Sequence, residues 1–177
     1  MISVHTQKNG ALKQGLLFTA ATVLLTITVN AGEITRYPLP NNSTFPIAQA
    51  VEVSAGTAII YHSGATPRPA NADAEKYSAE FWGDTEAQAL SCFSRMQASF
   101  DKLGVGYKDV IKMTVFLVGS DDNDGRMDFG GFMKAYTQYF GTKEQPNLPA
   151  RSAVQVAGLA VPGMLVEIEV ILARPGK

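Results

Sequence analysis

The segment from Asn147 to Ala173 reads NLPARSAVQVAGLAVPGMLVEIEVILA, and its alternation decides the fold class. Successive side chains of a strand point to opposite sides, so a strand from Leu165 to Ala173 puts Val166, Ile168, Val170 and Leu172 on one apolar face. Glu167 and Glu169 fall on the other. Ser152 to Val156 reads as a second strand, separated from the last by a turn at Pro162-Gly163.

Working outward, Phe129, Phe132, Met133, Tyr136 and Phe140 recur at helical spacing up to Gly141, and Val110 to Val118 alternates as a strand. Further upstream, Ala89, Phe93, Met96, Phe100 and Leu103 form another three- and four-residue stripe before Gly104. Thr85 and Gln88 match a capping box, which predicts a helix over about 86–103. Ile34 to Tyr37 is a short β-prone start, and Gln49 to Val53 and Thr57 to Ser63 read as a hairpin turned at Ser54-Ala55-Gly56. From Ala65 to Asp84 the chain is rich in Pro, Ala and Asn and lacks a period, which predicts a long ordered loop. Two helices over one sheet make an α+β domain spanning 32–177.

Composition agrees with one globular core: 177 residues, 46% hydrophobic and 18% charged. Lys8 and Lys13 precede an apolar run from Leu16 to Val29 that ends in Val29-Asn30-Ala31, the pattern of a signal peptide cleaved after Ala31. The run is short for a membrane span, which needs roughly 20 residues. Such a leader predicts an exported protein, periplasmic in a Gram-negative bacterium and secreted otherwise, with no membrane attachment after cleavage. Asn41-Asn42-Ser43-Thr44 holds overlapping glycosylation sequons, relevant in a eukaryote.

Residues 1–31 hold two of the 15 basic residues and none of the 16 acids, so the remainder carries 13 against 16, a net charge of −3. That balance argues against nucleic acid as a partner. Cys92 is the single cysteine, which excludes an intrachain disulfide; its place among apolar helix neighbours predicts a packed thiol. Asp121-Asp122-Asn123-Asp124-Gly125 is dense in calcium-ligand types, but the twelfth position from Asp121 is Phe132, so it is no EF-hand loop and reads as a solvated turn.

Arg151 has the setting of an anchor. Pro149 fixes φ just before it and a strand begins just after, so the guanidinium stands on a rigid stem suited to bidentate carboxylate recognition. Glu167 places a carboxylate in a strand, where glutamate is depleted; near such an arginine it suits the holding of a water.

Pro149-Ala150-Arg151-Ser152, Val154, Ala157-Gly158-Leu159 and Val166-Glu167-Ile168 together resemble the C-terminal signature of the RidA/YjgF family, the reactive-intermediate deaminases. Ile59-Ile60, Ser63-Gly64, Asp84 to Ala89 and Lys112 to Phe116 extend the resemblance over about residues 33–175. It implies a chorismate-mutase-like fold, one mixed sheet of about six strands backed by two helices, assembled as a homotrimer with clefts at subunit interfaces. It implies hydrolysis of small 2-imino acids or enamines to 2-keto acids and ammonia. By position, Arg151 would grip the substrate carboxylate, Glu167 would position the attacking water, and the backbones of Gly64 and Ala153 would line the cleft. No metal or organic cofactor is implied; the partner is a small carboxylate-bearing metabolite.

The sequence departs from the family's pattern where its tyrosine is Ile47, its cysteine two residues past the arginine is Ala153, and an asparagine of the second helix is Met133. These changes keep the anchor and remove part of the polar lining, which also fits a protein that binds carboxylates without turning them over. Ribonuclease activity, attached to some members of the family, is disfavoured by the acidic balance. The loop 65–84 is longer than the family's, and its Tyr77, Phe81 and Trp82 are expected to shape the cleft mouth. His62, the one histidine after residue 31, reads as structural.

Overall fold

The computed structural model describes residues 33–174, so the leader read at 1–31 lies outside the described residues. The apolar alternation of the last strand is realised without exception: in β7 (Val166–Arg174), Val166, Ile168, Val170 and Leu172 are all buried. Each such side chain contributes on the order of 1.5–3 kcal/mol on leaving water. Their neighbours across the sheet are Met113, Val115 and Leu117 of β4 (Val110–Ser120), buried on the same face.

The seven-stranded sheet contains β1 (Ile34–Pro38), β2 (Ala48–Val53), β3 (Ala58–Ala65), β4, β5 (Arg126–Met127), β6 (Ala150–Val156) and β7. Its order is β1-β2-β6-β4-β7-β3, with β5 an added edge on β4. β6 runs parallel to its neighbours β4 and β2, meeting β2 at the single pair Ala48 and Ala150; the other pairings are antiparallel. The seventh strand beyond the six expected is β5, two residues long.

The hairpin expected between β2 and β3 does not form. The turn is present, with Thr57 N–H donating to the Ser54 carbonyl at 3.4 Å, but β2 pairs with β1 and β6 while β3 pairs with β7 at the opposite edge. A local turn signal says that the chain changes direction, and not which strand it then joins.

Helices α2 (Thr85–Leu103) and α3 (Phe129–Tyr136) cover one face of the sheet, and a single turn, α1 (Ala79–Trp82), precedes them. Phe93, Met96 and Phe100 of α2 and Phe132 and Tyr136 of α3 complete the core. α2 begins one residue before the expected box: Asp84 is the cap, its carboxylate accepting from Ala87 N–H at 2.8 Å. Gln88 is freed for a different task. Buried, it donates to the carbonyls of Gly83 and Gly163 and accepts from Leu165 N–H at 2.7 Å, locking the turn that feeds β7. Gly104 ends α2 in the left-handed region, φ 68, with its N–H on the carbonyls of Phe100 and Asp101. α3 stops at Tyr136, yet the following turns carry Phe140 into the core as its spacing requires.

Among the described residues no helix covers the second face, which carries Lys112, Thr114 and Phe116 of β4, Ser152 and Val154 of β6, Glu167 and Glu169 of β7, and Tyr61 of β3. Val154 is 43% exposed and Tyr61 80%.

Candidate functional site

Register places Arg151 beside Met113, which pairs in turn with Val170, so the arginine points to the helix-covered face. There it enters a nest of aromatic rings. Its guanidinium carbon lies 4.2 Å from the Tyr136 ring centre, 5.2 Å from Phe132, 5.4 Å from Phe45 and 5.7 Å from Phe129. Ring faces attract a cation, which makes this a favourable seat. They do not satisfy its donors: Nη1 is buried with no hydrogen-bond partner, and Arg151 joins no salt bridge among the described residues. Burial pulls its pKa down from the ordinary arginine range, opposed by the Tyr136 hydroxyl. The reciprocal effect is weaker than burial at Tyr136, whose pKa is pushed up to about 12. An unpaired donor on a buried cation is costly to leave unsatisfied, and an arriving carboxylate removes that cost.

Glu167 pairs with Phe116 and therefore points to the opposite, open face. Its carboxylate lies against Gly64, in the irregular stretch of β3 between His62 and Ala65. A methyl on Gly64 would overlap Glu167 Oε1 and come within 2.9 Å of its Cδ, so the absence of a side chain makes room for the acid. Glu167 takes no hydrogen bond or ion pair among the described residues. Ala153 follows Arg151 on the same face, opposite Val115, and packs against the core.

The four residues expected to form one site thus separate onto the two faces of the sheet. Arg151 and Ala153 stand on the covered face, Gly64 and Glu167 on the open face. Within one chain they do not converge.

The rings of the nest were hidden from sequence reasoning. Phe129, Phe132 and Tyr136 carry the ordinary signal of a core stripe, and Phe45 follows an Asn-rich turn with no period at all. Pairing an unexplained anchor arginine with a stripe so rich in rings was the available clue. His62 is structural, as its setting suggested: Nδ1 meets the Ser63 carbonyl at 2.8 Å, Nε2 the Ser99 hydroxyl at 2.9 Å, and the ring stands edge-on to Phe100. Cys92 is fully buried and its thiol is pushed up to about 12, first by burial. Among the described residues no group of three or more His, Cys, Asp or Glu is arranged to hold a metal ion.

Two of the three aromatic residues of the 65–84 loop turn inward, while Tyr77 stays 42% exposed. Phe81 and Trp82 are buried against Met164, and Trp82 Nε1 donates to the Pro162 carbonyl at 2.9 Å, so they form a second small core instead of a cleft mouth. A cavity of about 620 Å³ beside this loop is lined by Asp84, Asp128 and Asp121 to Asn123. Arg151 does not reach it, and the Asp84 and Asp128 carboxylates are engaged as helix caps. Chemistry therefore points to the orphaned guanidinium rather than to this hollow.

The model of the family described as endoribonuclease L-PSP matches residues 41–174, about three quarters of the chain. The chain belongs to the RidA/YjgF family. A RutC family protein of Haemophilus influenzae is 33% identical over 130 residues, 73% of this chain and 87% of that one. Escherichia coli TdcF, whose name makes it a candidate reactive intermediate deaminase, is 36% identical over 95 residues, 54% of this chain and 67% of its own length. An endoribonuclease candidate from Thermotoga maritima has a structure that superposes with a TM-score of 0.51 at 28% identity, covering 76% of this chain and 91% of that one. A Rid protein of Yersinia pestis superposes with a TM-score of 0.58 over 78% of this chain and 98% of that one; at 20% identity it speaks for the fold alone. The expected RidA/YjgF architecture, a mixed sheet backed by two helices, is the one observed.

Proposed function

We propose that this protein hydrolyses small 2-imino acids and their enamine tautomers to 2-keto acids and ammonia, at clefts that copies of the chain build together. The observation that carries the reading is the buried, unpartnered Nη1 of Arg151, a donor waiting for an anion on a rigid strand. The guanidinium holds the substrate carboxylate. Glu167 positions the water that adds to the imine carbon; the C–N bond then breaks, nitrogen leaves as ammonia and the carbonyl oxygen derives from the water. The backbones of Gly64 and Ala153 flank the substrate. No metal or cofactor is needed for this balance.

Because Arg151 and Glu167 lie on opposite faces of one sheet, a substrate touching both needs the acid of a second copy. The uncovered face with Tyr61 and Val154 offers the contact, and a homotrimer closes it. The TdcF similarity supports the reaction class. The leader pattern at 1–31 supports export, to the periplasm or outside the cell.

Purified protein should accelerate keto-acid formation from imines generated by an amino-acid oxidase, and Arg151→Ala should abolish the gain. No acceleration by the wild-type protein would remove the enzymatic reading. The apolar residues Ile47, Met133 and Ala153 favour a second one, a carboxylate-binding protein without turnover. Calorimetry separates the two: saturable binding of 2-ketobutyrate or benzoate, lost in Arg151→Ala, with no deamination, selects binding alone. Ribonuclease activity would require cleavage that survives repurification and vanishes in Arg151→Ala, against a net charge of −3 over residues 32–177.

A further inference from the structure

We infer that the acid bound at Arg151 carries a bulky apolar side chain, aromatic by preference, and that Phe45 and Phe129 select it. The inference rests on the carboxylate clamp proposed above and names its substrate class.

Of the four rings around the guanidinium, Phe132 and Tyr136 are fully buried and belong to the core. The other two form an outer wall. Phe45 and Phe129 stack with centroids 6.4 Å apart and planes 19° from parallel; Phe45 is 41% exposed and Phe129 half-buried. A group a bond or two beyond a carboxylate docked on this arginine comes within reach of that wall.

On this copy, the side chains around that wall are mostly apolar or already engaged. The Tyr136 hydroxyl is committed to the Pro46 carbonyl at 2.8 Å. Ala153 is the next residue on the face of Arg151, and Met133 shares the α3 stripe with Phe129 and Tyr136. Ile47 lies two residues past Phe45, its N–H on the Phe45 carbonyl. A hydroxyl or amide held against these side chains would lose water with little in return. Each buried methylene improves affinity about fourfold, and a phenyl ring adds the offset or edge-on contact that aromatic pairs favour.

Calorimetry on the purified full chain with phenylpyruvate and 2-ketobutyrate tests the inference. The wild-type protein should favour phenylpyruvate by about tenfold or more, the discrimination an apolar wall supplies. In Phe45→Ala the ratio of the two affinities should fall toward about one, since the wall loses its exposed ring. Phe129→Leu, which keeps an apolar residue at the start of α3, should lower the ratio in the same direction. Equal affinities in the wild-type protein, or a ratio unchanged in both variants, overturns the inference and leaves the clamp standing. Binding of neither acid overturns the clamp, and this inference with it.

Discussion

Arg36 and Arg151 are two half-buried arginines of one sheet with opposite fates. Arg36, on β1, sends Nη1 to the carbonyls of Val110 at 2.9 Å and Leu148 at 2.7 Å and Nη2 to that of Lys108 at 2.9 Å. It ties the edge strand to the start of β4 and the approach to β6. Arg151, on β6, has four rings and an orphaned donor. Burial lowers both pKa values; Asp109 and then Tyr136 oppose it at Arg36, and Tyr136 opposes it at Arg151. The difference teaches that burial of a cation does not by itself mark a binding residue: a cation whose donors are spent on carbonyls is a strut, and one with an idle donor has a hydrogen bond left to give.

The comparison breaks first at activity. Arg151→Ala should reduce imine hydrolysis by at least about a hundredfold, the loss expected when a charge-assisted bidentate contact disappears, while the melting temperature stays near the wild-type value. Arg36→Ala should do the reverse. It removes three hydrogen bonds to backbone carbonyls and should cost about 3 kcal/mol in denaturant unfolding, with activity per folded molecule retained. If both variants lose stability equally, the distinction between strut and anchor fails.

The half-site on the open face sharpens the comparison further. Gly64→Ala displaces the Glu167 carboxylate, whose flexible end can swing aside, so stability should change by less than about 1 kcal/mol. Turnover should drop about tenfold or more, while binding of 2-ketobutyrate, which needs the arginine, persists. Mixing Arg151→Ala with Glu167→Gln should restore activity through the wild-type half-sites only if copies share a cleft. Recovery of no activity from unfolded and co-refolded mixtures would place both groups in one chain's site after all.

The effect of pH at Cys92 is confined to alkaline solution and is absent near neutral pH. Its thiol is raised from 9.0 to about 12 in the folded protein, so the unfolded chain releases that proton first. The associated stability is fully present below pH 9 and is lost as pH climbs from 9 toward 12, at about 1.4 kcal/mol per pH unit. Tyr107 and Tyr136 are also raised, so unfolding free energies of the wild-type protein and Cys92→Ala should be compared across pH 8 to 11; their difference should shrink with the slope of one proton.

Much of the covered face was legible in the chain. Val166 to Leu172 and most of the α2 and α3 stripes are buried as their periods require, with Leu103 at the end of α2 exposed and Phe129 and Met133 half-buried, because a period of two or of 3.6 is a local property. Arg151 stood out in the sequence by Pro149 and the strand beside it, and Glu167 by its unusual place in a strand. Strand partners were not: the turn at Ser54 to Thr57 was seen, yet β2 and β3 end at different parts of the sheet. The cap at Asp84 was misread by one residue because Thr85 offers the same chemistry to a nearby N–H.

The amino-acid order alone determined the elements, the apolar faces and the identity of the charged residues left over from packing, since these depend on neighbours a few bonds away. Only the tertiary structure decided that Arg151 lies among four rings with an idle donor, and that Glu167 faces the other way over Gly64. Both facts arise from pairings between β3, β4, β6 and β7 and from where α3 crosses them. Contacts of that range are set by the whole core at once, and no window of sequence contains them.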